Sequence, residues 1–265
     1  MALGSDFRRL WSAYAISEFG TGVGFGALPL VAVLVLDVPE FQVSLLAALG
    51  GLAAAALALP AGPWIEFRRK RPVMIAADLV RFGAIVSIPV AMLAGVLTYA
   101  QLCVVAVVQA IGTILFATAS GAHLKALVPA EQLAAANGRF EATFWTANTA
   151  GPPLGGLLIA VLGATTTVAL DAASFLLSAL GVRRIRGPEP PPPARTAERH
   201  HLTRLTAGWR YILRHRQLRV LWGNTLLFGG CVMATAPLIA VLMLRERGFT
   251  PKNSSVTALS VKTRR

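Results

Sequence analysis

The sequence predicts an all-α, polytopic membrane bundle, and three observations carry that prediction. Seven stretches beginning near Trp11, Val43, Val73, Leu102, Phe140, Ala164 and Leu218 reach or approach the roughly 20 apolar residues that span a hydrocarbon core. Across 265 residues, 55% are hydrophobic and 14% charged, and the mean hydropathy is +0.63, which leaves a soluble fold far too much apolar surface. Third, four consecutive basic residues, Arg68 to Arg71, sit in the short gap between the second and third stretches.

The formal charge of +13 does not indicate nucleic acid. A nucleic-acid binder clusters Lys and Arg on a folded face beside base-reading or stacking groups. Here they lie between apolar spans. Cys103 and Cys231 both fall inside spans, so they read as small buried apolar residues and imply no disulfide framework.

Each element follows in order. Arg8 and Arg9 precede an apolar segment from Trp11 to Leu36, too long for a signal-peptide core and therefore a retained first span. The next spans are joined by short gaps and end at Val182, so residues 1–183 form a six-span bundle. Residues 184–217 follow as a basic linker in which Pro188 and Pro190 to Pro193 favour extended chain. Its second part is amphipathic: Leu205, Trp209, Ile212 and Leu213 recur at helical spacing while Arg204, Arg210, Arg214 and Arg216 point elsewhere. Such a helix lies on a membrane surface. Residues 218–244 form a seventh span, and residues 245–265 a polar tail.

The basic residues also set orientation. With the N-terminus in the cytoplasm, the inside connections hold Arg8, Arg9, Arg68 to Arg71, Lys125, Arg139 and the Arg183–Arg219 set. The opposite connections hold Asp37, Glu40 and uncharged segments such as Thr98 to Gln101. Short basic loops resist translocation, which favours this orientation in the inner or plasma membrane.

Small residues indicate helix contacts. Gly20, Gly22, Gly24 and Gly26 give overlapping small-xxx-small spacings in the first span, and Gly151 with Gly155 gives another in the fifth. Pro152 and Pro153 remove backbone donors there, so a bend is expected.

Several segments together resemble the major facilitator superfamily. Gly62-Pro63-Trp64-Ile65-Glu66-Phe67-Arg68-Arg69-Lys70-Arg71 is similar to that family's motif between spans two and three, with Glu66 where Asp is usual and Phe67 where Arg is usual. Asp78-Leu79-Val80-Arg81, Ala135 to Ala142, Ala150 to Gly156 and Asp171-Ala172-Ala173-Ser174-Phe175 resemble its drug-efflux and siderophore-exporter branch. The resemblance covers roughly residues 8 to 250 and ends at Thr250, where the family continues through five further spans. It implies the N-terminal six-helix half of a carrier plus one span, truncated. It also implies efflux of a small amphipathic compound by proton antiport, without a cofactor.

Ionisable groups inside spans are costly enough to begin as functional candidates. Glu18 in the first span and Asp171 in the sixth are candidates for a proton or substrate site; the structural alternatives are a Glu18 near the inner interface that is solvated or paired, and an Asp171 that caps a helix or bonds across helices. Asp78 and Arg81 share a helix face three residues apart and are expected to pair, in a structural or gating role near the cytoplasmic end of span three. Gly62 would permit close helix approach, Glu66 would supply a charge and Arg69 its state-dependent partner. Arg68 and Arg71 read as topology signals, and His123 and Lys125 as interfacial residues that snorkel.

No enzyme chemistry is visible, since no Gly-rich phosphate loop, CxxC pair or HExxH occurs. Expected partners are the lipid bilayer, a small-molecule substrate and protons as the coupling ion. The competing reading is a half-carrier without transport activity that needs a second half-carrier or another copy, since alternating access requires two halves about a midplane site. On that reading the glycine faces lack a complete partner.

Reporter fusions at Pro190 and after Thr250 are expected to report opposite compartments; one shared compartment removes the seventh span.

Overall fold

The computed structural model describes residues 3–187, 189–192, 211, 213–225 and 227–228. They divide into two units, Met1–Glu198 and Arg199–Arg265.

In the first unit the helices are α1 (Ser5–Gly24), α2 (Ala27–Leu34), α3 (Glu40–Glu66), α4 (Lys70–Leu93), α5 (Tyr99–Leu127), α6 (Leu133–Leu162) and α7 (Ala164–Arg183). A single 3-10 turn, Ala130–Gln132, precedes α6. Helices are the solution that satisfies every backbone polar group within one segment, as lipid requires. Among the described residues five helical stretches are long and apolar enough to cross a membrane: Ser5–Leu34, Phe41–Ala58, Lys70–Leu93, Tyr99–Leu127 and Ala164–Arg183. The 30-residue α6 has the length but carries Asn148, Pro152, Pro153 and several glycines along its middle.

The connections are short and their chemistry is local. Gly95 ends α4 at φ +69°, where the Gly95 and Val96 N–H groups donate back to the Met92 and Ala91 carbonyls at 3.1 and 3.0 Å. That left-handed cap would strain any residue with a Cβ. Gly163, at φ +84°, is the one residue between α6 and α7 and reverses the chain there. Thr98 caps α5, its side-chain oxygen accepting the Gln101 N–H at 3.3 Å.

The structure differs from the sequence reading at several points. The first span begins at Ser5 and is interrupted at Phe25–Gly26, within the glycine-rich run where helix propensity is weakest. Pro152 and Pro153, where a bend is expected, both lie inside the single helix α6.

The glycine faces are already partnered within the first unit. A Cβ on Gly22 would stand 2.5 Å from the Ala147 carbonyl oxygen, and one on Gly151 2.6 Å from Gly22 Cα. Gly155 abuts the Val23 carbonyl, while Gly20 and Gly24 abut Ser174 and Asp171 of α7. The reason is that α1 lies against both α6 and α7, and its small residues serve two neighbours at once. Gly26 and Gly62 have open space around them, so close approach at Gly62 is not seen.

The remaining packing sets α4 against α5 and α7, and α3 against α5. Two apolar cores result. One gathers Phe7, Leu10, Met74, Phe116, Leu124 and Val182 at the end of the bundle that carries the basic α3–α4 turn. The other gathers Val31, Leu46, Ile88, Leu102, Val168 and Phe175 towards the opposite end. Large apolar side chains also point outwards, such as Phe25 and Leu93, as lipid contact demands.

In the second unit, residues 211–225 are helical apart from a bend at His215 and a position left undescribed, and the Tyr211 and His215 rings stack at 4.2 Å. Most of the expected amphipathic helix, the seventh span beyond Phe228 and the tail lie outside the described residues.

Two adjacent glycines test the α1–α6 contact. Gly155→Ala is expected to destabilise the detergent-solubilised chain by about 1–3 kcal/mol through overpacking against the Val23 backbone. Gly156→Ala, with nothing near its missing Cβ, should be neutral or gain up to about 1 kcal/mol from helix propensity. Thermal aggregation curves compare the two.

Candidate functional site

Between the two apolar cores lies a layer of buried polar side chains, and Arg81 is its centre. Midway along α4, it is only 3% exposed. Its Nε donates to Gln109 Oε1 on α5 at 3.0 Å, and its Nη2 and Nη1 donate to Thr21 and Ser17 on α1 at 2.9 and 3.3 Å. Its guanidinium carbon stands 3.9 Å from the centre of the Phe175 ring on α7. One side chain therefore joins four helices. The long stem reaches them because Gly112 on α5 has no Cβ, which would stand 2.6 Å from Arg81 Cδ.

Three carboxylates surround this cation. Asp78, fully buried, places Oδ1 3.6 Å from Arg81 Nη1, an ion pair too long to be a hydrogen bond. Asp171 lies in the notch left by Gly20 and Gly24, and both it and the half-buried Glu18 act on Arg81 through space. Among the described residues Asp171 Oδ1 has no hydrogen-bond partner, while Asp78 faces the Ser178 hydroxyl on α7. Buried polar atoms are normally satisfied, so the unpaired Asp171 oxygen is the atom of this layer open to a further partner.

A cavity of about 460 Å³ opens beside the layer. Its polar wall is Thr21, Arg81, Gln109, Thr113 and Asp171; its apolar wall includes Phe25, Leu28, Leu46 and Phe175. A mostly apolar hollow with a few convergent polar groups is the usual form of a small-molecule site.

The sequence candidates are thus sorted by position. Asp78, Arg81 and Asp171 come together, with Glu18 at the margin. Arg81 stands mid-helix, against the expectation of a place near the cytoplasmic end, because α4 begins at Lys70, ahead of the expected start at Val73. Asp171 lies well inside α7, so it caps no helix and instead meets α1.

Glu66 and Arg69 are both exposed at the α3–α4 turn and form no ion pair. There the Lys70 ammonium donates to the Glu66 backbone carbonyl at 3.1 Å, and Arg68 lies 4.3 Å over the Trp64 ring. Arg71 does more than set topology: it donates to the Ile185 carbonyl at 3.1 Å, to the Gly187 carbonyl, and to His123 Nε2 at 3.4 Å. His123 is buried, 1% exposed, and does not snorkel, because α5 ends beneath Arg71 and the chain leaving α7. Asp6 completes this arrangement by accepting from the Gly187 N–H at 2.7 Å and from Arg9 at 2.6 Å.

Sequence reasoning missed Ser17, Thr21, Gln109 and Gly112. The first three are neutral and common in spans; their only signal was polarity within apolar runs, four residues apart for Ser17 and Thr21. Among the described residues no group of His, Cys, Asp or Glu is arranged to hold a metal.

Comparison with known proteins agrees with this architecture. Residues 10–261 match the family described as the Major Facilitator Superfamily. The chain is 28% identical over 241 residues to the multidrug efflux pump Tap of Mycolicibacterium fortuitum, covering 88% of this chain and 57% of that protein. It is 27% identical over 216 residues to the Tap pumps of Mycobacterium bovis and Mycobacterium tuberculosis, covering 79% of this chain and 51% of each. The chain thus spans about half the length of these curated relatives. An all-helical bundle with five membrane-length apolar stretches, together with a family match over most of the chain, places this protein in the membrane as a member of the Major Facilitator Superfamily.

Proposed function

We propose that the chain forms the substrate cavity and ion-exchanging groups of a proton-coupled efflux carrier for small amphipathic compounds, oriented with its N-terminus in the cytoplasm. The observation that carries this reading is the Arg81 layer at the wall of the 460 Å³ cavity. One guanidinium cannot neutralise Asp78, Asp171 and Glu18 together in a medium where an unpaired charge costs several kcal/mol. Protons or a cationic ligand balance the remainder. Exchange between the two is antiport in its simplest form: a cationic amphiphile enters as protons leave, and the reverse.

Arg81 fits the role of a tethered internal cation. Its contacts to Ser17, Thr21 and Gln109 are neutral and hold the group in place, while its interactions with the carboxylates respond to their charge. Efflux by the Tap pumps supports this assignment of direction and substrate class. The α3–α4 turn supports a second element of the reading: Glu66 and Arg69, unpaired in this state, are available to pair in another.

Binding tests the proposal directly. A permanently cationic dye such as ethidium should bind the purified, detergent-solubilised chain more weakly as pH falls, because protonated carboxylates no longer attract it, and binding should release protons into weakly buffered solution. Asp171→Asn is expected to reduce affinity about tenfold and to flatten the pH dependence, on the usual scale of coupling between ligands. A neutral dye should show neither effect. Unchanged cationic binding by Asp171→Asn would remove the carboxylate from the mechanism.

In vesicles bearing a proton gradient, Arg81→Lys and Glu66→Gln placed in a full-length carrier should insert normally and lose most dye movement. Lysine keeps the charge but cannot make the forked contacts to α1 and α5. Full transport by Arg81→Lys would reduce the layer to bulk electrostatics.

A further inference from the structure

A second cavity lies outside the polar layer. It has a volume of about 410 Å³ and runs between α4 and α5 from the α3–α4 turn inwards. Its α4 wall is Pro72, Val73, Ala76 and Val80, positions that recur along one helix face, and α5 contributes Ile111 and Leu115 opposite. From Pro72 to Val80 the groove extends about 12 Å along the axis, at 1.5 Å per residue. Its floor is apolar throughout.

Its mouth is the reverse. Trp64 and Arg68 close the end at the turn, the guanidinium carbon 4.3 Å above the indole centre. Trp64 is 43% exposed and Val80 58%, so the groove opens outwards to the surroundings of the bundle. Arg69 and Lys70 follow Arg68 in the chain on the same turn, with the Lys70 ammonium on the Glu66 carbonyl at 3.1 Å. Among the described residues the ion pairs are Asp6–Arg9 and Asp78–Arg81, so neither Arg68 nor Arg69 has a carboxylate in ion-pair range. Glu66 is exposed on the same turn without countering either.

Arg68 stacks on the Trp64 ring, is exposed, and has no partner of opposite charge among the described residues. An indole and a guanidinium stacked at a helix end mark the level of lipid headgroups. The matching occupant has an anionic oxygen cluster attached to a long apolar chain.

We infer that this groove is a binding site for one anionic phospholipid of the leaflet that meets the α3–α4 turn. The phosphate sits at Arg68 and its basic neighbours, and an acyl chain lies along Val73, Ala76, Val80 and Leu115. Charge complementarity at the mouth selects the anionic headgroup over a zwitterionic one. The apolar floor selects a lipid over a free phosphate. Neither function of the Arg81 layer is required for the site to exist, so its failure leaves the efflux proposal standing.

Trp64 provides the readout. The intact chain would be reconstituted into vesicles of phosphatidylcholine with one third phosphatidylglycerol, with bromine on the acyl chains of one lipid at a time. The fluorescence lost on subtracting a Trp64→Phe sample isolates this indole from the other tryptophans. Brominated phosphatidylglycerol should quench Trp64 about five-fold more per lipid than brominated phosphatidylcholine, the preference expected of one basic contact near a membrane surface.

Arg68→Gln should bring that ratio close to one. Ala76→Phe, which fills the groove and keeps every charge, should lower quenching by both lipids. Arg184→Gln, at the end of α7 away from the groove, should leave the ratio unchanged. Glycerol phosphate added at high concentration should displace nothing.

Equal quenching by the two lipids, an Arg68→Gln ratio like that of the parent, or a ratio abolished by Arg184→Gln would each overturn the assignment. So would an indole that neither lipid quenches, which would show the groove covered by protein, and so would displacement by glycerol phosphate. Native mass spectrometry of the same variants supplies a check independent of fluorescence: one phosphatidylglycerol retained by the parent chain and by Arg184→Gln, and lost from Arg68→Gln.

Discussion

The burial of one guanidinium in the middle of a helical bundle governs how the helices around it can be arranged. Arg81 cannot shed its charge, so each of its donors needs an acceptor in a place water does not reach freely. The acceptors come from α1 and α5, the facing ring from α7, and the ion-pair partner from its own helix. Each of these helices is therefore fixed in register relative to α4. The two apolar cores lie on either side of this layer, which divides them.

Close helix approach is the condition that lets a layer of short side chains satisfy a single cation. Ser17 and Thr21 are short, and the long Arg81 side chain makes the reach from α4. The glycines of α1 instead set its position against the neighbours on two faces: Gly22 towards α6, and Gly20 and Gly24 towards α7. Gly112 does the same for the Arg81 stem on α5. In lipid no hydrophobic drive holds helices together, so packing of this kind and polar contacts supply the association. The same glycines that bind α1 to α7 also receive Asp171, and a larger residue there would displace the carboxylate from the cavity wall.

At the end of the bundle with the basic turn, a second set of contacts ties the chain leaving α7 to the starts of α1 and α4. Asp6, Arg71 and the Lys70 backbone N–H, which donates to Glu189, hold Ile185, Arg186, Gly187 and Glu189 with mostly backbone partners. Backbone partners do not depend on side-chain identity, so the segment is fixed whatever its sequence. A movement of α4 relative to α1 would have to break or carry this segment, and that couples the basic turn to the start of the linker.

Length and apolar content alone determined that the chain crosses a membrane repeatedly, because a span is a local property readable from about 20 consecutive residues. The spacing of Asp78 and Arg81 announced their pairing, since positions three apart share a helix face. The glycine spacings likewise announced packed faces, though not which helices they meet. What only the tertiary structure decided is who stands opposite. The convergence of Ser17, Thr21, Gln109 and Asp171 on Arg81 joins residues up to 154 positions apart, as 171 − 17 shows, and no local pattern encodes it. The burial of His123, the work of Arg71 on backbone carbonyls and the groove beside Trp64 are of the same kind. They arise from where helices end relative to one another, and that is set by the packing of the whole bundle.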